Sequence, residues 1–524
     1  MKFSKSAAAL LSLASSTAAT NTTCRPKIDS EKLQADLTTE NLMANLEALN
    51  EIAFANGGNR AFGLPGYAAS VNYVWDRVSK IPATKAWKQD FPATFGQVVS
   101  IDFNIDGDDE GITAEIVLGP EGAAGCDAAN YEGLDVQDKI VLVQRFRCPT
   151  GGTLAGRVRP AAAAGAAAVI VYHDVTTNAT AGSLSAPDPD GFVPAGFINL
   201  SDGLKIKERL DGGETVEAHF QQTQVVEERI TQNVFVETEE GDPHNVIMVI
   251  VYMIHPSWYK LLISFSSVPT WTVSKLDLAS MTTASGSGTS LLLELFLALT
   301  KYRTKNKVRF AWWGAEENGL LGSKYYCSNL PASDVDDLLV YLNFDMVAKG
   351  FFGVADTDGS THGSSGPAGS DVVEHIYEAY FESQGLEVTP AVLTNGSDYA
   401  SFWQILHKPF GFLHTGTAVA QDPCYHQACD TIDNPDPNTI TVNARAAAHI
   451  LTVLSLNGTE LIPKTLINAT MLTHLQSRSF EPDVIQIEEL EALGRGTLDA
   501  DTISSSRCGL SKEARPILQS LRIC

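Results

Sequence analysis

The stretch Val308-Arg309-Phe310-Ala311-Trp312-Trp313-Gly314-Ala315-Glu316-Glu317-Asn318-Gly319 decides how this chain is read. A run rich in β-branched and aromatic residues reads as a buried strand, and the glycine that ends it opens a loop. Two adjacent carboxylates then follow between glycines. An acidic turn of this kind is often only solvated, but beside an apolar strand its charges are costly unless something offsets them. The next apolar run, Leu338 to Met346, repeats the theme, because Asn343-Phe344-Asp345-Met346 sets an acid at the end of a strand. Such an acid needs a cation or several donors, and metal ligation is the economical explanation.

From Asn245 onward, apolar strands alternate with amphipathic helices, and Ser290 to Thr300 reads as a buried helix. The alternation predicts an α/β sandwich around a mixed, largely parallel sheet, in which reactive groups collect at the carboxyl ends of strands. Upstream, Glu40 to Lys80 reads as helices on the spacing of Leu42, Leu46 and Leu49, and strands are predicted at Val98 to Ile105 and Ile112 to Leu118. Between Gly119 and Val226 the texture shifts to short strands, including Lys139 to Val143 and Ala167 to Tyr172. There the Ala/Gly-rich run Ala161 to Ala168 predicts a helix lying close on a sheet. Near the far end, Cys424-Tyr425-His426-Gln427-Ala428-Cys429 forms a short loop. It reads either as a zinc knuckle or as a disulfide loop that pins His426, and the secretory features below favour the Cys424 to Cys429 disulfide.

Taken together, the blocks at Glu316, Asp345 and His426 resemble the co-catalytic di-zinc aminopeptidases of the aminopeptidase Y and bacterial leucyl aminopeptidase family. The resemblance runs from about Glu40 to Leu456. The pattern from Cys126 through Cys148 to Tyr172 resembles the protease-associated (PA) domain, a β-rich module inserted in several peptidase families. By this resemblance Glu316 is the general base, Glu317 ligates one zinc and Asp345 the other, His426 is a terminal ligand, and Asp398 and Tyr425 contact substrate. Two Zn2+ per chain and peptide substrates with a free N-terminus are the expected cofactor and partner. A carboxypeptidase on the same metal core, and a metal-free relative acting as a binding module, carry nearly the same motifs.

One family block is missing: Gly-Ala-His-Leu-Asp-Ser-Val followed by Gly-Pro-Gly-Ile-Asn-Asp-Asp-Gly, which supplies a terminal His ligand and the bridging Asp. Here only Gly286, Ser287, Gly288 and Thr289 match its end. The genetic code offers an explanation. If the frame begins on the third base of each codon, Trp271-Thr272 and Met281-Thr282 each force GAC, an Asp codon, at the block's orienting Asp two residues after its His and at its bridging Asp. Every other junction from Ser267 to Ala284 permits the rest of the block. We therefore read residues 250–284 as a mistranslated segment, with Ile250 to Ser266 a retained intron.

The composition bounds the setting. A net charge of -25 and a sequence pI near 4.8 disfavour nucleic acid and anionic membrane as partners. Val246 to Val268 is apolar, but His255, Pro256 and Lys260 argue against a membrane span. Lys2, Lys5, the apolar run after Ala7 and the small residues near Ala19 have signal-peptide grammar. Eight cysteines and sequons at Asn21, Asn178, Asn199, Asn395, Asn457 and Asn468 agree with secretion or a vacuolar lumen. Further disulfides are expected at Cys126 with Cys148 and Cys508 with Cys524. The resulting division is a signal peptide at 1–19, the peptidase N-terminal part at 20–118, a PA domain at 119–226, a zinc peptidase core at 227–456 and a tail at 457–524, in a monomer. Transcript sequencing across residues 250–284 is expected to recover the missing block; a mature mRNA encoding the chain as written would end that reading.

Overall fold

The computed structural model describes residues 25–105, 111–176, 184, 188, 190–252, 270–272, 286–416, 420–425 and 429–466. The signal-peptide expectation, His426, Asn21, Asn178, Asn468, the Cys508 to Cys524 pairing and most of 250–284 and of the tail fall outside these residues.

Thirteen strands form among the described residues: β1 Thr84–Ile105, β2 Ile112–Leu118, β3 Ile140–Gln144, β4 Ala168–Tyr172, β5 Ala195–Ile198, β6 Glu217–Thr238, β7 Asp242–Tyr252, β8 Thr270–Thr272, β9 Asn306–Trp313, β10 Leu338–Phe344, β11 Gly353–Ala355, β12 Thr389–Ala391 and β13 Phe410–His414. They join in the order β12-β11-β13-β10-β7-β9-β6-β2-β3-β4-β5, with β1 on β6 and β8 on β1. The neighbours β13, β10, β7 and β9 run parallel, as do β2 to β5, which makes the sheet mixed and largely parallel as the alternating pattern predicts.

The β7–β9–β10 centre reads as continuous apolar sequence because it is covered on both faces. On one face Gly411 of β13 sits against Val373 and Tyr377 of the helix Ser370–Ser383. On the other, Tyr399 of the helix Tyr399–Gln404 stacks on Phe410 and Phe412 at 5.0 and 4.5 Å. The helix Pro437–Leu461 is long and apolar enough to cross a membrane, yet 78% of its most apolar window is buried inside this core. Asp436 caps it, accepting from Thr439 N at 2.7 Å. A second core, built on Ile140, Val141, Val169, Ile170 and Phe197, belongs to the inserted region.

Two expectations shift. The Ala/Gly-rich helix spans Ala155–Ala163, earlier than Ala161 to Ala168, because the backbone turns left-handed at Gly165 (φ 94°) and Ala168 already opens β4. Strand β1 begins at Thr84 rather than Val98 and pairs with β6 from Thr84↔Thr238 to Ile105↔Ala218. Its polar start, Lys85, Lys88, Gln89 and Asp90, conceals a strand that exists through its partner.

The helix Ser287–Leu299 is held down where it meets the sheet. A Cβ on Gly288 would overlap the Phe344 carbonyl oxygen and Val251 Cγ2, while Ser287 Oγ accepts from Val347 N at 3.1 Å. Gly288→Ala is therefore expected to lower the unfolding free energy by roughly 1–3 kcal/mol, the usual cost of overpacking, and with it the urea midpoint; an unchanged midpoint would show that the helix start yields.

Candidate metal centre

Four parallel strands set their carboxyl ends on one edge, so the residues just after them are neighbours whatever their separation in sequence. Glu316 and Glu317 follow β9, Asp345 follows β10, and His414 ends β13. Strand β7 lies between β9 and β10, so its end at Tyr252 stands in the middle of this edge. Residues 253–269, where the missing block was expected, lie outside the described residues. The strand itself continues through Ile250, Val251 and Tyr252, each paired with β9.

The Glu316 turn is tightly wound. Gly319 and Leu320 donate to Glu316 O at 2.9 and 2.6 Å, and Gly322 N donates to Gly314 O at 2.9 Å. Asn233 of β6 closes it, accepting from Gly314 N at 2.9 Å and donating to Gly322 O at 3.1 Å. Gly322 is required by this close approach, since a Cβ there would overlap Asn233 Oδ1 and the Gly314 carbonyl. Ala315 (φ 53°), Leu320 (φ 60°) and Met346 (φ 51°) adopt left-handed backbone. Non-glycine residues in that region store strain, and here they flank both Glu316 and Asp345. The Met346 carbonyl is held by Thr415, whose N and Oγ1 donate at 2.9 and 2.5 Å.

Glu316, Glu317, Asp345 and Asp398 are 5, 7, 6 and 1% exposed. Burial, reinforced by the charges of Glu317, Asp345 and Asp398, holds the Glu316 carboxyl well above the usual range. Asp398 is likewise raised, by burial first and then by Asp345 and Glu317, with the Ser323 hydroxyl and the Lys324 charge opposing. Glu316 Oε2 and Asn318 Oδ1 are buried without a hydrogen-bond partner among the described residues. A buried cluster of oxygens with an orphaned acceptor is a donor set that divalent cations take, and carboxylate oxygens are among the ligands zinc accepts.

The Cys424–Cys429 disulfide forms, as does Cys126–Cys148. The loop that carries the former docks on the same edge: Asp436 N donates to Ala348 O at 2.8 Å and Lys349 Nζ to Asn434 O at 2.8 Å. Asn434 Nδ2 bridges Asp422 and Asp430 at 3.0 Å each. Tyr425 lies half-buried on this loop. His414 extends the row Phe410, Phe412 on the helix Tyr399–Gln404 side. Burial pushes its pKa down to about 4, and Nδ1 accepts from Gly416 N at 2.9 Å.

A second acidic group, Asp356, Asp358 and Glu374, brings its oxygens within 4.8 Å of one another. It is already satisfied: Glu374 Oε2 accepts from Thr357 N, Thr357 Oγ1 and Asp358 N, and Asp356 from His362 and Thr361. These bonds organise a loop.

Sequence reasoning missed Ser397, Asn343 and Tyr341, which line up behind Asp345. Their signal was the period-two spacing of Tyr341, Asn343 and Asp345, which puts all three on one face of β10.

Comparison with known proteins then gives the class. The chain matches peptidase family M28 over residues 283–451 and the PA domain over residues 112–206. An aminopeptidase of Pseudomonas aeruginosa is 31% identical over 506 residues, covering 86% of this chain and 87% of that protein. Leucine aminopeptidase 2 of Arthroderma otae is 31% identical over 474 residues, covering 84% and 89%. Among solved structures, an aminopeptidase from Aneurinibacillus sp. strain AM-1 superposes with TM-score 0.64 at 22% identity, covering 84% of this chain and 99% of that one. BSAP, a zinc aminopeptidase from Bacillus subtilis, superposes with TM-score 0.59 at 18% identity, covering 87% and 99%. The chain belongs to peptidase family M28, the hydrolase class its site motifs imply, and carries an inserted PA domain.

In the metal-free chain Glu316→Gln is expected to raise stability by roughly 1–3 kcal/mol, because it removes a charge from a dry acidic cluster. The sign follows from the raised carboxyl: its contribution is fully present below the ordinary value of 4.5 and lost as pH rises through the folded value. The gain of the variant over the parent should therefore grow with pH in thermal melts; a gain that shrinks would mean a donor or cation already satisfies Glu316.

Proposed function

We propose that this protein is a secreted metallo-aminopeptidase that removes N-terminal residues from peptides with two zinc ions per chain. The observation supporting it is the burial of four acids on one sheet edge, with Glu316 Oε2 unpartnered among the described residues. Glu317 and Asp345 would each hold a zinc, with His426 on the disulfide-closed loop as a further ligand. When bound, zinc lowers the pKa of water and polarises the scissile carbonyl.

The chain's own residues account for the rest. Glu316, its carboxyl raised by burial and by its acidic neighbours, is a better proton acceptor than an ordinary carboxylate and would take the proton of water and return it to the leaving amine. The strained turn and the Asn233 clamp fix where that carboxylate sits. A cationic amino terminus is drawn to the remaining negative charge of the cluster, and Asp398 and Tyr425 are its proposed neighbours. Such a site favours cleavage at chain ends and disfavours a substrate's terminal carboxylate.

Two disulfides and the sequons support passage through an oxidising compartment, with the medium preferred over a vacuolar lumen. The PA domain would act as lid or recognition module. The absent His and bridging Asp favour a second reading, a binding module without metal, if the chain is made as written. Zinc content decides between them: about two per chain supports the enzyme and none supports the module.

Hydrolysis of a leucine chromogenic amide is expected, and a chelator should abolish it. Glu316→Gln should lower kcat by ~10²–10⁴ with little change in KM, the range for loss of a general base. Equal activity in parent and variant would remove Glu316 from the reaction.

A further inference from the structure

Behind Asp345 runs a buried chain of hydrogen bonds. Trp313 Nε1 donates to Tyr341 OH at 3.4 Å, Tyr341 OH donates to Asn343 Oδ1 at 3.0 Å, Asn343 Nδ2 donates to Ser397 Oγ at 3.0 Å, and Ser397 Oγ donates to Asp345 Oδ2 at 2.7 Å. Trp313, Tyr341, Asn343 and Ser397 are 0, 1, 2 and 6% exposed. Tyr341 is further held by Phe402, its ring centroid 3.9 Å away.

The chemistry of the two ends gives the chain one direction. An indole N–H can only donate, and a carboxylate that holds a cation is ionised and can only accept. Each intermediate group must therefore accept from the Trp313 side and donate toward Asp345. The weak point is Asn343, whose amide has two orientations of nearly equal shape. Turned over, it would offer Oδ1 to Ser397 and compete with Asp345 for the single hydroxyl proton. It would also point an N–H at Tyr341 OH, which already receives Trp313 and would be left with no acceptor for its own proton. A dry site makes that arrangement costly.

We propose that Trp313 and Tyr341 are positioning residues that lock the Asn343 amide and so commit the Ser397 proton to Asp345, fixing the carboxylate for metal binding. The assignment rests on the metal-centre reading above. It gives two residues with no place in the zinc site a measurable hold on it. Because the polarity is fixed at both ends, the chain orients Asp345 and does not conduct protons.

The test uses the full chain with zinc alone as the probe. Tyr341→Phe, which keeps the ring, should weaken zinc binding about 10-fold in chelator competition, within the range for partners of metal ligands. Ser397→Ala should do the same, and Ser397→Thr, which keeps the donor, should bind as the parent does. Because both losses act through one proton, the Tyr341→Phe/Ser397→Ala double variant should be no weaker than Ser397→Ala alone. Additive losses, or a Tyr341→Phe variant within twofold of the parent, overturn the lock. A parent that binds no zinc defeats the metal-centre reading instead. The lock is then judged in the metal-free chain by NMR exchange of the Asn343 side-chain NH2, which should quicken at least about 10-fold in Tyr341→Phe as the amide loses its fixed partner; unchanged exchange overturns it.

Discussion

Gathering like charges in a dry place is the constraint on which the rest of this protein depends. Glu316, Glu317, Asp345 and Asp398 are all nearly buried, and burial and mutual repulsion together raise Glu316 and Asp398. Left to itself such a cluster opposes folding, so the surrounding structure must hold it. The holding groups are identifiable: the Asn233 clamp under the Glu316 turn, the Thr415 hydroxyl on Met346, and the Ser397 bond to Asp345. Left-handed backbone at Ala315, Leu320 and Met346 marks where the scaffold spends stability on geometry.

The sheet explains how residues from distant parts of the chain reach that edge. Parallel strands β9 and β10 end on the same side, and β7 separates them by two strand spacings, roughly 10 Å. The spacing leaves the end of β7 as the central position of the site, flanked by acids on both sides. Strand β7 pairs with β9 up to Tyr252, and the helix Ser287–Leu299 packs where β10 ends, with Ser287 Oγ accepting from Val347 N.

The inserted region is tied to the peptidase sheet by the ribbon of β1 and β6, each 22 residues long. One end of β6 pairs with β9 beside the site, and the other pairs with β2 of the insert. The insert has its own apolar core, so its packing does not draw on that of the peptidase.

Much of this was legible in the sequence. The apolar runs ending at Trp313 and Phe344 announce strands, and the acids after them announce a site, because a charge at the end of a buried strand needs an explanation local to it. The central helices Thr39–Ala55 and Ser287–Leu299 follow from leucine spacing. Strand β1 was read only from Val98 onward although Phe91, Ala93 and Phe95 alternate at strand period and are buried; its start, Lys85 to Asp90, is mostly polar and pairs with β6. The loop of Cys424 and Cys429 was readable as a disulfide, but its seat on the edge depends on bonds to Ala348 and Lys349 that no local pattern encodes. Sequence by itself determined the strands, the acids and their order, because hydrophobic periodicity and the cost of buried charge act locally. Tertiary structure alone decided that Glu316, Asp345 and Asp398 share one dry volume, and that Trp313 and Tyr341 stand behind Asp345. Strand order and hydrogen-bond direction are properties of partners brought together by folding.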